Sequence, residues 1–399
     1  MNTQAEVEAG AAFAGIKVLD MSQGIAGPHA AMLLAQAGAD VVKVEPLDGD
    51  WGRTLGKRYA DQCAQSMVYN RGKRSIALDL KSVQGLTVAR QLAQRADIVV
   101  ESFRPGVMKR FGLAYGDLQA ASPGLIYLSV TGFGQDGPYS SYPVTDAIIQ
   151  AFSGWMNLHQ DAQGTPMRSG MTAIDVLTGL YAYQAIATAF VAKLRFGTGR
   201  YIDCSMLQCA AAFQAGKVLE HFLEKGRPQV SYVPVGVFAT ADGFITISAM
   251  RDAHYAALCT QIGRPELATD PRFDSRDKRR ANKEVLMPLL AQAFRAQPTA
   301  HWEDVLTRAD LMNARVNTYM DMLKNEHVRA VGTFDYVDHG EHGEAPVARL
   351  PGARPLSAGD RRAETPRVGE HTLDILQELG YASSDQQALV AAGAARALS

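Results

Sequence analysis

The chain has 399 residues, 47% of them hydrophobic, with 40 Lys+Arg against 41 Asp+Glu. At about 150 residues per domain this is two or three domains with apolar material for full cores, which excludes a disordered or fibrous chain. A formal net charge of -1 argues against a nucleic-acid binder, which needs a basic face for phosphates, yet leaves room for a local basic pocket around a small anion.

In chain order, Met1 to Gly10 carries Glu6 and Glu8 without an apolar core and does not read as a signal peptide. Residues 16–20 read as a strand, followed by a turn from Ser22 to Gly27 and a helix with Pro28 at its first position, running over 30–37 and stopping at Gly38. Further strands are expected at 40–45, 75–80, 97–101 and 125–130, with a helix over 83–95. Strands alternating with helices of this length predict βαβ units and a mostly parallel sheet. The apolar stretch from Ile174 to Phe196 is broken by Asp175, Thr178, Gln184 and Lys193. It reads as a buried helix and not as a membrane span.

Beyond it come a strand at 201–206 and a helix reaching Glu224. A linker at Gly226–Pro228 and a β-hairpin over 235–239 and 244–249 follow, and then a helical pattern from 252 to about 323. The expected division is a large unit over 1–225, a smaller α+β unit over 226–325, and a return segment over 326–399 that ends in a helix at 372–379. Cys63, Cys204, Cys209 and Cys259 form no CxxC pair, which fits a reducing, cytoplasmic setting.

Chemistry concentrates at few positions. Neither GK pair sits in a phosphate loop, no GxSxG elbow is present, and His339-Gly340-Glu341-His342 reads as a solvated turn before a metal site. The turn Gly24-Ile25-Ala26-Gly27 can present N–H groups to a phosphate, with Glu45 where a dinucleotide fold keeps its ribose-binding acid; a tight βα turn explains the glycines equally. Lys73, Arg74, Lys81, Arg104, Lys109 and Arg110 form either a solvated basic rim or an anion site beyond the strand ends. Asp175 opens a strongly apolar helix. It is either that helix's N-cap or, held ionised by the helix dipole, a nucleophile.

Read together, these segments resemble the class III CoA-transferases, the family of the formyl-CoA and carnitine CoA-transferases. The resemblance rests on Gly15–Asp20, Ala26-Gly-Pro28, Gly38–Glu45, Lys73–Asp79, Glu101–Gly106, Gly137-Pro138, Asp175, Gly369–Thr372 and Glu378–Tyr381 in that order. It implies a Rossmann-like large domain with a small domain inserted, in a ring-shaped chain that interlaces with a second copy as a homodimer. It also implies Asp175 as nucleophile, acyl-CoA and a free carboxylic acid as substrates, and no permanently bound cofactor or metal. CoA contacts carry over to Ile25 and Ala26, to Leu78, Leu80 and Lys81, to Ser102, Phe103, Arg104 and Arg110, and to Thr145 and Asp146. Nucleic acid and membrane are not expected partners.

Departures from the family pattern narrow the reading. Ser102 replaces the usual Asn, and Pro46 stands where an Arg often follows the second-strand Glu. Ile25 replaces the Gln of formyl-CoA transferases, and the ordinary strand over 244–249 replaces their glycine run, which disfavours formyl and oxalate. The α-methylacyl-CoA racemases of this fold carry a His where this chain has Thr145, so two-base proton transfer lacks one partner. The expected donor is succinyl-CoA and the acceptor a small dicarboxylate, with Arg53, Arg71 and Arg168 as candidate carboxylate partners.

Overall fold

Six strands of the first half align in parallel in a computed structural model that describes residues 10–161, 163–228, 230–339, 343–357 and 359–398. They are β1 (Lys17–Asp20), β2 (Asp40–Glu45), β3 (Arg74–Leu78), β4 (Ile98–Glu101), β5 (Ile126–Thr131) and β6 (Arg200–Ser205). Their spatial order is β3-β2-β1-β4-β5-β6, and the short strand Ala395–Arg396 pairs antiparallel on the free edge of β3. This is a doubly wound order: the chain leaves β1 in one direction and returns to β4 on its other side. The crevice beyond the carboxyl ends of β1 and β4 is where such sheets bind ligands.

The strands read as continuous apolar runs because both sheet faces are covered. Alternate residues supply two cores. Leu19, Val42, Ile76, Val99 and Tyr127 face α2 (Val83–Arg95) and the helix Thr372–Leu379. Val18, Val41, Val100, Ile126 and Leu128 face α1 (Ala26–Gln36) and α4 (Ala173–Phe196), whose Leu34 and Ile186 are fully buried. Truncating either to Ala removes packed methyl groups at a cost of about 2–5 kcal/mol. The helix α3 (Asp146–Phe152) follows β5 and packs beside α4 through Ile149 and Ile174. By length and composition α4 also qualifies as a membrane span. Here its Ala182, Ile186 and Ala189 are core residues.

The chain divides into two compact units, Met1–Val218 with Phe334–Ser399, and Leu219–Thr333. In the second, the antiparallel hairpin Val235–Ala239 and Phe244–Ser248 is joined by a third strand, Met312–Arg315. Helices Asp252–Gln261, Lys283–Phe294 and Thr299–Arg308 close its core around Phe238, Ile245, Leu286, Phe294 and Trp302.

Several boundaries differ from expectation. The helix α1 starts at Ala26, so Pro28 is its third residue, still within the turn where its missing N–H costs nothing. Two helices, Met206–Phe213 and Ala215–Leu223, replace one, and residues 312–315 are a strand inside a segment expected to be helical throughout. A further helix, Ser383–Ala391, follows the expected terminal one. Three residues of the His339–His342 motif lie outside the described residues. Among the described residues no group of three or more His, Cys, Asp or Glu side chains is placed to hold a metal ion.

Candidate active site

The turn after β1 is held open by charge buried beneath it. Gly24, at φ 82°, donates its N–H to both oxygens of Asp50 at 2.9 and 3.2 Å. Lys43 meets Asp50 at 3.0 Å and donates to the Ser22 carbonyl at 2.8 Å. Deeper still, Lys73 donates to Asp20, to the Pro28 carbonyl and to Asn70 at 2.8, 2.8 and 2.9 Å. Burial opposes the Asp20 charge, yet Lys73 and Lys43 hold the carboxylate below its usual range, and burial lowers Lys73 to about 8. Removing one partner of such a network leaves an uncompensated buried charge, at about 3–5 kcal/mol.

This network corrects three expectations. Lys73 is a buried anchor and not part of a basic rim. Glu45 is unavailable to a ribose: its two oxygens take Arg53 at 2.7 Å each, the Ser75 hydroxyl at 2.7 Å and the Asp50 N–H at 3.0 Å. That pairing equally consumes Arg53 as a substrate carboxylate partner.

Ile25 and Ala26, both buried, open α1 at the β1 switch point. The β4 loop is tied to them, since the Ser102 hydroxyl accepts the Gln23 N–H at 2.9 Å. Phe103 packs edge-on to Phe111, and Arg104 and Arg110 are exposed around the short helix Val107–Phe111. Lys81 is exposed past the carboxyl end of β3, with Leu80 partly buried behind it. Lys81, Arg104 and Arg110 carry no ion pair to the described residues. By contrast, Arg74 pairs with Asp40 and Glu378, and Lys109 with Asp117. Leu78 is 1% exposed in the core, so its side chain offers a ligand no surface.

Asp175 is the third residue of α4 and not its cap. The cap comes from Asp146 at the start of α3. One of its oxygens accepts the N–H groups of Ile174 at 2.7 Å and Asp175 at 3.1 Å, and the other accepts the Gln150 amide at 2.5 Å. Both Asp146 oxygens are thus engaged, one on the first turn of α4 and one within α3, with Thr145 exposed just before it. No described residue hydrogen-bonds the carboxyl oxygens of Asp175. Burial, and then the Asp146 charge, push Asp175 up to about 7. The expected stabilisation by the helix dipole is overridden, because burial is worth several kcal/mol against about 0.3–1 kcal/mol from the dipole.

Tyr69 and His29, which carry no readable local signal, belong to these surroundings. Burial, and then the Asp175 charge, raise the Tyr69 phenol. His29, on α1, lies beside Tyr69 with ring centroids 5.0 Å apart and the rings tilted by 55°. Arg71 is 3% exposed, has no partner for Nε and donates to the Met32 sulfur at 4.0 Å, with Asp335, Asp360 and Arg362 near enough to act on its charge. Burial lowers its guanidinium to about 10. Arg168 is exposed.

The family model of CoA-transferase family III matches residues 13–372. A succinate–glutarate CoA-transferase of Agrobacterium fabrum is 33% identical over 385 residues, covering 92% of this chain and 95% of its own. An acetyl-CoA:oxalate CoA-transferase of Acetobacter aceti is 38% identical over 310 residues, 74% of this chain and 78% of that one. A solved CAIB/BAIF family protein from Brucella suis superposes with a TM-score of 0.80 at 31% identity, over 92% of this chain and 99% of that one. With a doubly wound sheet, a basic strand-end edge and an uncommitted carboxyl on α4, the chain belongs to CoA-transferase family III and is a class III CoA-transferase.

Proposed function

We propose that this transferase moves CoA from an acyl-CoA, with succinyl-CoA as the leading donor, to a small dicarboxylate by covalent catalysis at Asp175. The observation that carries the reading is the free carboxyl of Asp175 at a helix N-terminus that another carboxylate already caps. Near neutral pH about half of a carboxyl with a pKa near 7 is ionised, and the ionised form is poorly solvated, which favours attack on carbon.

The Asp175 oxygen adds to the thioester carbonyl and expels CoA thiolate, leaving a mixed aspartyl–acyl anhydride. The thiolate then attacks the aspartyl carbonyl, which releases the donor acid and leaves an aspartyl-CoA thioester. The acceptor carboxylate attacks that thioester, and the freed thiolate takes the acyl group from the second anhydride, regenerating Asp175. Each step exchanges one acyl bond for another, so no thioester energy is lost to water. Lys81, Arg104 and Arg110 would meet the CoA phosphates along the strand-end edge, where Phe103 offers a face to the adenine. Arg71 is buried with no carboxylate hydrogen-bonded to it, since nearby Asp335 and Asp360 pair with Arg349 and Arg362, so it suits the second carboxylate of the acceptor, and a bidentate fork there would relieve its desolvation. The relatives named for succinate, glutarate and oxalate support a dicarboxylate class.

Two chains would interlace as a homodimer. Apolar Leu180, Val191, Leu194 and Phe196 stand exposed along α4, with Phe213 and Val218 beyond it, and support a covered face. Light scattering after size exclusion gives twice the chain mass on this reading, and a monomer at micromolar concentration rejects it. For activity, the protein is incubated with succinyl-CoA and a panel of free acids, oxalate included, and new CoA esters are identified by mass. The reading requires a dicarboxylate to be favoured over the monocarboxylate of equal length. New esters formed at the wild-type rate by Asp175→Asn would reject it.

A further inference from the structure

The helices α1 and α4 pack together at close range where α4 carries Gly179. A Cβ on Gly179 would lie 2.6 Å from His29 Nδ1 and 2.7 Å from its Cβ, so the missing side chain is the space the imidazole fills. His29 is 5% exposed there, with Nδ1 3.0 Å from the carbonyl oxygen of Val176. A carbonyl only accepts, so Nδ1 carries the proton and donates. Val176 is the residue directly after the nucleophile. The same ring is tilted 55° to that of Tyr69, centroids 5.0 Å apart, and the Asp175 charge helps to raise the Tyr69 phenol.

We propose that His29 is a positioning residue for the nucleophile: seated in the gap left by Gly179, it pins the first turn of α4 through the Val176 carbonyl, with Tyr69 beside it. The proposal rests on Asp175 being the nucleophile. Asp146 fixes the amide side of that turn, and His29 fixes the carbonyl side one residue on. With both ends of the turn held by side chains from other helices, the carboxyl keeps its place without a hydrogen bond to its own oxygens. Burial, ahead of the nearby Lys73 charge, lowers His29 to about 4, so the ring stays a neutral donor through the working range. The titratable and charged groups around this cluster are Tyr69 from the helix Ala64–Tyr69 and Asp146 from α3, which face Asp175, and Lys73, which faces His29.

Three variants test this: His29→Ala, His29→Asn and Gly179→Ala. Each is measured for kcat and KM against pH, for the rate of hydroxylamine-trapped adduct at Asp175, and for thermal stability. Losing the pin should lower kcat and the trapping rate on the order of 100-fold, as expected for a misplaced reacting group, while KM for the acyl-CoA stays put. Water entering beside Tyr69 should also move the acidic limb of kcat/KM below its wild-type position. An Asn amide nitrogen sits as far along its side chain as Nδ1 of His, so His29→Asn should restore most of kcat. Gly179→Ala, which evicts the ring, should match His29→Ala, and combining the two should add nothing. If the variants trap at the wild-type rate with the acidic limb unmoved, or lose activity only in step with the unfolded fraction, His29 is packing and the proposal falls. Should the wild type itself give no adduct at Asp175, the underlying mechanism fails, and this proposal with it.

Discussion

Replacing Asp175 by Asn removes an ionisable group while nearly keeping its shape, and the pH dependence of stability then isolates what burial does to it. The carboxyl moves from its ordinary 3.8 to about 7 in the folded chain. Between those values the folded protein holds a proton that the unfolded chain has released. The stability tied to that proton is complete below the unfolded value and is lost as pH rises through about 7. At about 1.4 kcal/mol for each tenfold change in proton affinity, and allowing for solvent reaching a half-buried group, the loss is about 2–4 kcal/mol. Urea unfolding midpoints of wild type and Asp175→Asn, measured in steps from about pH 5 to about pH 9, should therefore diverge in the variant's favour as pH rises. Their difference should close only below about pH 4, under the unfolded carboxyl's own value, so a point there is included. Parallel curves across the range would show a well-solvated carboxyl and refute the argument from burial.

Asp146 offers a complementary perturbation. Asp146→Asn keeps an oxygen for the cap but removes the charge beside Asp175, so the acidic limb of kcat/KM should shift to lower pH. Asp146→Ala should in addition lose about 1–2 kcal/mol of stability with the cap, read by urea melts. Arg71→Met should leave stability unchanged or higher, because it removes a desolvated cation. It should raise KM at least tenfold for a dicarboxylate acceptor and little for a monocarboxylate, as steady-state kinetics with matched acids would show. Lys81→Ala and Arg104→Ala should each raise KM for acyl-CoA without lowering kcat, and their effects should shrink as salt is added, since screening weakens exposed charges.

The doubly wound sheet was legible because its strands are short apolar runs bounded by Gly and Pro, and β2, α2 and the helix Thr372–Leu379 lie where periodicity put them. The strand Met312–Arg315 was not. Its sequence Met-Asn-Ala-Arg alternates over four residues only, too few to stand out between helical segments, and it is extended because Ile245 to Ser248 supply partners for it. Basic residues looked alike in the sequence, and only the fold separates Lys73, paired with Asp20 at 2.8 Å, from exposed Arg104. Asp175 stood out as a lone carboxylate opening an apolar helix. Its cap comes from a residue 29 positions earlier, and the pin on its turn from His29, 147 positions before Val176, so neither has a local signature. The direction of its pKa was misjudged for the same reason. The dipole is a property of the helix alone, whereas burial belongs to what packs around it.

If acyl groups and CoA pass through a covalent bond to Asp175, hydroxylamine captures them on that residue. The protein is mixed with succinyl-CoA, quenched with hydroxylamine and digested, and the peptide spanning Asp175 is sequenced by mass spectrometry. A hydroxamate should form on Asp175, depend on acyl-CoA and be absent from Asp175→Asn. Continued CoA transfer with no adduct there, or with the adduct on another residue, would contradict it.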